Sequence, residues 1–137
     1  MLRYTYKTKT PSARAAAPGA RVSRKTSVLL CRTLNNKPLA KGKRLLEGLA
    51  AGTRSIGSTH PFGGKGWSGK FYTNTAQHLL DLLATAEQNA ESRGLNPDRL
   101  FIKASAHRGF TFMTPRRFKL RGRQRKVANL QVVLEQR

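Results

Sequence analysis

Three stretches with helical periodicity, two stretches that alternate apolar and polar residues, and a cationic link joining those two predict an α+β chain with an extended basic β-hairpin. At 137 residues the chain fits one domain, 1–137. Its order is a basic N-terminal extension (1–21), two helices (22–50), a glycine-rich loop (51–72), a long helix (73–94) and the hairpin (99–135).

Ser23 is placed to cap a first helix running to about Leu34, with Val28, Cys31 and Leu34 along one face. Asn35-Asn36 ends it, because asparagine tolerates the left-handed conformation at a helix terminus. Pro38 suits the first turn of a second helix, where its missing N–H is not needed. That helix would bury Leu39, Leu45, Leu46 and Leu49 and let a neighbour approach at Gly42. The strongest pattern is Thr75 to Arg93: Ala76, Leu79, Leu80, Leu83, Ala86 and Ala90 keep a 3.6-residue period. Asn74 would cap it, with Gln77 reaching back as in a capping box. Gly94, Leu95 and Pro97 would close its end. Leu100, Ile102, Ala104 and Ala106 then alternate as a strand, as do Leu130, Val132 and Leu134. The stretch between them, 108–128, has no apolar period, so as an arm it is expected to order on its partner.

Charge defines what that partner is. Lysine and arginine number 27 against six acidic residues, a net charge of +21. Residues 1–46 hold twelve cations and no carboxylate, and Arg99 to Leu134 is again free of acids. Within that tract, 108–126 packs eight cations into nineteen positions. Such tracts repel themselves unless a polyanion neutralises them. The glycine-rich loop adds Lys65, Trp67, Lys70 and Phe71, which suit stacking on bases while lysines meet phosphate; Trp67 and Phe71 folding back onto the core is the other reading.

Other function classes find little support. No apolar run approaches the roughly 18–20 residues of a bilayer span, and the best helix is too acidic for a cationic membrane-active peptide. A single cysteine excludes an internal disulfide and a multi-cysteine zinc site. Gly64, Gly66 and Gly69 have dinucleotide-motif spacing, but no strand precedes them. Phe71 stands where a Walker-type loop needs a hydroxyl. No paired carboxylates or nucleophile–histidine motif appears, so catalysis, metals and cofactors are not expected. The first 25 residues suit either a transit peptide or a basic RNA-binding arm.

The run from Thr75 to Leu95, with Ala86-Glu87-Gln88-Asn89-Ala90-Glu91 and then Gly94-Leu95 before a strand, resembles the central helix of a ribosomal family. That family is the universal large-subunit ribosomal protein numbered 22 in bacteria and 17 in eukaryotes. Val22 to Leu49 is similar to its first two helices, with Lys25 on the family's lysine. Arg116 to Arg123 is similar to its basic hairpin run, and Met1 to Thr5 looks like the start of the eukaryotic cytosolic branch, which argues against a cleaved transit peptide. Asn35-Asn36 departs from the family's cation–glycine pair, and the segment after Arg123 is shorter than the bacterial pattern.

The resemblance implies three helices packed on a small antiparallel sheet and a non-enzymatic constituent of the large ribosomal subunit. It implies binding to large-subunit RNA, neighbouring ribosomal proteins, support of subunit assembly, and a hairpin reaching the nascent-peptide exit tunnel. The location implied is cytoplasmic, with transient nucleolar assembly in a eukaryote, and no membrane or homo-oligomer is expected. Arg108, Arg116, Arg117, Lys119, Arg121, Arg123, Arg125 and Lys126 would then meet phosphates along the arm, with Arg24 and Lys25 at the first helix and Lys65, Trp67 and Lys70 in the loop. Phe110, Phe112, Met113 and Thr114 would face the tunnel near the hairpin tip. A free nucleic-acid chaperone using the same arm is the alternative.

Overall fold

The computed structural model describes Tyr4, Tyr6, Thr8, residues 10–56 and residues 69–136. A strand β1 (Ser12–Ala20) leads into helices α1 (Arg24–Leu34) and α2 (Leu39–Ala50). After the loop come helix α3 (Thr73–Glu91) and the long strands β2 (Leu100–Met113) and β3 (Gln124–Gln136). The sheet is antiparallel in the order β1-β3-β2, and the helices pack on one face of it, as the α+β reading requires.

That face is built by alternation. Ala13 and Ala15 of β1, Leu100, Ile102 and Ala104 of β2, and Leu130, Val132 and Leu134 of β3 all point into the core. Leu30 and Leu34, Leu46 and Leu49, and Leu79 and Leu83 meet them from the three helices. Gly42 does admit a close neighbour: a Cβ there would lie 2.3 Å from Cδ1 of Ile102. The long helix closes as its sequence indicates, with Gly94 at φ +69° and the Leu95 N–H donating to Ala90 O at 3.0 Å.

Several local expectations are corrected. The buried face of α1 is Ser27, Leu30, Cys31 and Leu34, while Val28 is only half-buried. Ser27 tolerates burial because its hydroxyl donates to Ser23 O at 2.8 Å. Pro38 sits at the N-cap of α2 rather than inside its first turn. α3 starts earlier than the cap at Asn74 would allow: Ala76 N–H donates to Tyr72 O at 2.9 Å, so Asn74 lies within the helix and Tyr72 takes the cap position. Gln77 donates to Asp81 Oδ1 at 3.4 Å instead of reaching back.

β1 has no counterpart among the strands read from the sequence. Its residues 15–17 are three alanines followed by Pro18-Gly19, a poor strand signal. The alanines serve α3 instead. Ala86 and Ala90 are buried with Ala13 and Ala15 where α3 packs on β1, and Asn89 Nδ2 donates to Arg14 O (3.0 Å) and Arg93 to Ser12 O (2.7 Å). The outer edge of the sheet is thereby satisfied by a helix.

The stretch expected to lack order of its own is also corrected. Pairing of β2 with β3 continues past the core to Thr111↔Lys126, Phe112↔Arg125 and Met113↔Gln124. The inter-strand hydrogen bonds of an antiparallel ladder extend outward from strands that the core already holds. A bulge between Arg108 and Thr111 marks the exit from the core, and a second bulge on β1, between Ala17 and Ala20, flanks the same part of β3. Asn129 on β3 lies close to both: its Oδ1 accepts the Gly19 N–H at 2.9 Å and would sit 3.1 Å from a Cβ at Gly109.

Two outcomes follow. Gly42→Val should destabilise the chain by about 1–3 kcal/mol through overpacking against Ile102, set against the few tenths regained in helix propensity, as a denaturant midpoint would report. Burial pushes the Cys31 thiol up to about 12, so alkylation at pH 8 should be slow in the native chain and rapid once denaturant unfolds it.

Candidate nucleic-acid interface

The arm ends in a turn spanning 114–123, stiffened by a short helical turn at Phe118–Leu120. Thr114 closes it: its hydroxyl lies 2.8 Å from Arg123 O and 3.0 Å from Leu120 O. Gly122 takes φ +73°, a conformation open to glycine without strain. Arg116, Arg117, Lys119, Arg121 and Arg123 are all exposed on this turn. The turn therefore begins at Thr114, so of the four residues expected near the tip it holds Thr114, while Phe110 and Phe112 lie on β2 and Met113 is its last residue. Phe118, 89 % exposed, is an aromatic of the turn that the sequence reading passed over.

A groove of about 940 Å³ lies where the base of the arm meets the start of α1. Arg24 and Lys25 of α1 line one side, and Arg108, Arg125 and Lys126 of the arm line the other. These five were nominated from two regions some eighty residues apart, and the fold brings them to one place. Arg21 completes the set; its signal was membership of the first acid-free tract. Val22, Val127, Phe112, Met113 and Pro115 supply an apolar lining.

The first turn of α1 contains no acidic residue, and Ser23 makes no side-chain cap. Its leading N–H groups and the positive end of the helix dipole therefore add to the six cations. None of those cations forms an ion pair among the described residues, and no carboxylate lines the groove. Among the described residues an ion pair, Lys43 with Glu87, joins α2 to α3. Glu47, Asp81, Glu87 and Glu91 belong to α2 and α3, and Asp98 follows them. Four of the six carboxylates are thus on α2 and α3, and the groove and arm carry cations and no carboxylate.

Of the loop residues expected to meet RNA, the described Lys70 does not line the groove. Lys70 lies at the isolated bridge between Ile56 and Lys70, and Phe71 is half-exposed rather than returned to the core. Lys65 and Trp67 lie outside the described residues.

Similarity to known proteins agrees with this architecture. The sequence profile described as "Ribosomal protein L22p/L17e" matches residues 15–133, from β1 to within β3. A "Large ribosomal subunit protein uL22" from Methanococcus aeolicus is 29 % identical over 151 aligned positions, covering 99 % of both chains. The protein of that name from Methanococcus maripaludis is 32 % identical over 137 positions, with 91 % of this chain and 90 % of the relative covered. Another, from Methanosphaera stadtmanae, is 33 % identical over 130 positions, covering 84 % and 83 %. With the match running through the sheet, all three helices and the arm, the chain belongs to the ribosomal protein L22p/L17e family, a family of structural proteins and not of enzymes.

Proposed function

We propose that this chain is built into the large ribosomal subunit, binds its RNA through the groove and the arm, supports assembly, and sends the turn of the arm to the wall of the nascent-peptide exit tunnel. One observation carries the reading: a carboxylate-free arm of eight cations grows directly out of the core sheet of an L22p/L17e family member. The relatives' names, large-subunit proteins in each case, support the location.

The mechanism is electrostatic and positional. Each cation that meets a phosphate releases condensed counterions, so a groove and arm carrying many cations bind strongly and with strong dependence on salt. Arginines outnumber lysines 16 to 11, and the planar guanidinium offers paired donors to phosphate and a stacking face to unpaired bases. An arm paired as a ladder holds these groups at fixed spacings, so less conformational entropy is lost on binding than with a disordered tail. At its end, exposed Phe118 and Thr114 beside it would meet the tunnel lumen, with Phe110 further back along β2. The acid-bearing surfaces of α2 and α3 are left for neighbouring proteins or solvent. Nucleolar assembly belongs to this reading only in a host with a nucleolus, and the archaeal relatives favour a host without one.

A free nucleic-acid chaperone would share the charge but has no use for a defined groove or a ladder-paired arm. Reversing Arg116, Arg117, Arg121 and Arg123 together to glutamate discriminates. All four are exposed and none serves the core, so the variant should fold yet fail to enter large subunits when co-expressed with the unsubstituted chain. Normal incorporation of the variant would overturn the role given to the arm.

A further inference from the structure

The groove has more than phosphate chemistry built into it. Val22 and Val127, 5 % and 7 % exposed, form the apolar floor of the groove, a surface that the chain itself already covers almost completely. Phe112, Met113 and Pro115 extend that surface toward the arm. Phe112 and Met113 stay 54 % and 76 % exposed, so the chain's own core does not use them. Phe112 is the direct cross-strand partner of Arg125, which places an aromatic face and a guanidinium side by side. An aromatic ring set among arginines suits a base and its adjoining phosphate together.

We propose that the groove between the start of α1 and the base of the arm seats an unpaired RNA nucleotide, its base against Phe112 and its flanking phosphates on Arg24 and Lys25 at one side and on Arg108 and Arg125 at the other. The proposal rests on the RNA-binding reading above and narrows it to one structural class of RNA. A duplex cannot satisfy this site, because its base faces are stacked within the helix and only backbone and groove edges are presented. A bulged or looped nucleotide presents both a face and two phosphates. The volume of about 940 Å³ lies at the upper end of the range of roughly 300–1,000 Å³ over which pockets enclose small molecules, room enough for a nucleotide with its neighbouring phosphates. Met113, unbranched and adaptable, lets the apolar wall adjust to different bases, so the site selects for an extruded base more than for its identity.

The test uses the full chain and two synthetic RNA hairpins with the same stem, one carrying an adenine bulge and one fully paired. Binding is read by fluorescence anisotropy of labelled RNA at salt high enough to weaken contacts made to phosphate alone. Phe112→Ala should lower affinity for the bulged RNA roughly tenfold, the scale of one lost base–aromatic stack. It should leave affinity for the paired stem unchanged. Phe110→Ala, on the same strand but outside the groove, should change neither. Arg24→Gln with Lys25→Gln should lower affinity for the bulged RNA more than for the stem. Equal loss on both RNAs with Phe112→Ala, no loss on either, or the same loss with Phe110→Ala would overturn the seat while leaving general RNA binding intact. Failure of the unsubstituted chain to bind either RNA would overturn the RNA-binding reading itself.

Discussion

The pairing of β3 with a neighbour on each side is the constraint on which the rest of the molecule depends. Its C-terminal half, from Val127 through Leu134, supplies the centre of the core, and Leu130, Val132 and Leu134 are completely buried. Its N-terminal end carries Arg125 and Lys126, which are exposed and outside that core. One continuous strand therefore joins the part of the chain that supplies stability to the part that supplies charge. The two bulges, on β1 and β2, flank the transition, and Asn129 accepts the Gly19 N–H of the first and lies close to Gly109 of the second. Because a bulge increases local twist, it sets the direction in which the arm leaves the domain.

Charge placement follows from the same geometry. A chain of +21 cannot spread its cations evenly and remain compact without cost. Four of the six carboxylates lie on α2 and α3, which Lys43 and Glu87 join, and the arm and groove have none. The helices stabilise the sheet through leucines and alanines, and through Asn89 and Arg93 on the edge carbonyls of β1. Asn89 belongs to the segment that carries the family resemblance, and its contact with Arg14 O gives that segment a physical role: it holds the helix to the strand.

The legible parts of the sequence were those with a local physical signature. The three helices announced themselves by 3.6-residue periodicity and by Asn36 and Gly94, both of which adopt positive φ. Gly42 was legible because a glycine in an apolar helix needs a neighbour to explain it, and Ile102 is that neighbour. β1 was not legible, because its alanines answer to α3 across space and carry no strand propensity of their own. The order of the arm was hidden for the opposite reason: backbone pairing does not register in side-chain hydropathy. Arg24, Lys25, Arg108, Arg125 and Lys126 were each legible as cations, but their meeting in one groove is a product of tertiary structure. Val22 and Val127 carried no signal in the sequence, and only the fold shows them lining that groove.

The central claim is that the arm and groove make this chain an RNA-embedded part of the large subunit and not a free polyanion binder. Sedimentation of cell lysate at low and at high salt, following this chain against both ribosomal subunits, tests it most directly. The chain should stay with the large subunit through the high-salt wash, because a chain folded into the subunit is held by shape and apolar contact as well as by the phosphate contacts that salt weakens. Release into the light fractions, or a spread along bulk nucleic acid, would contradict it.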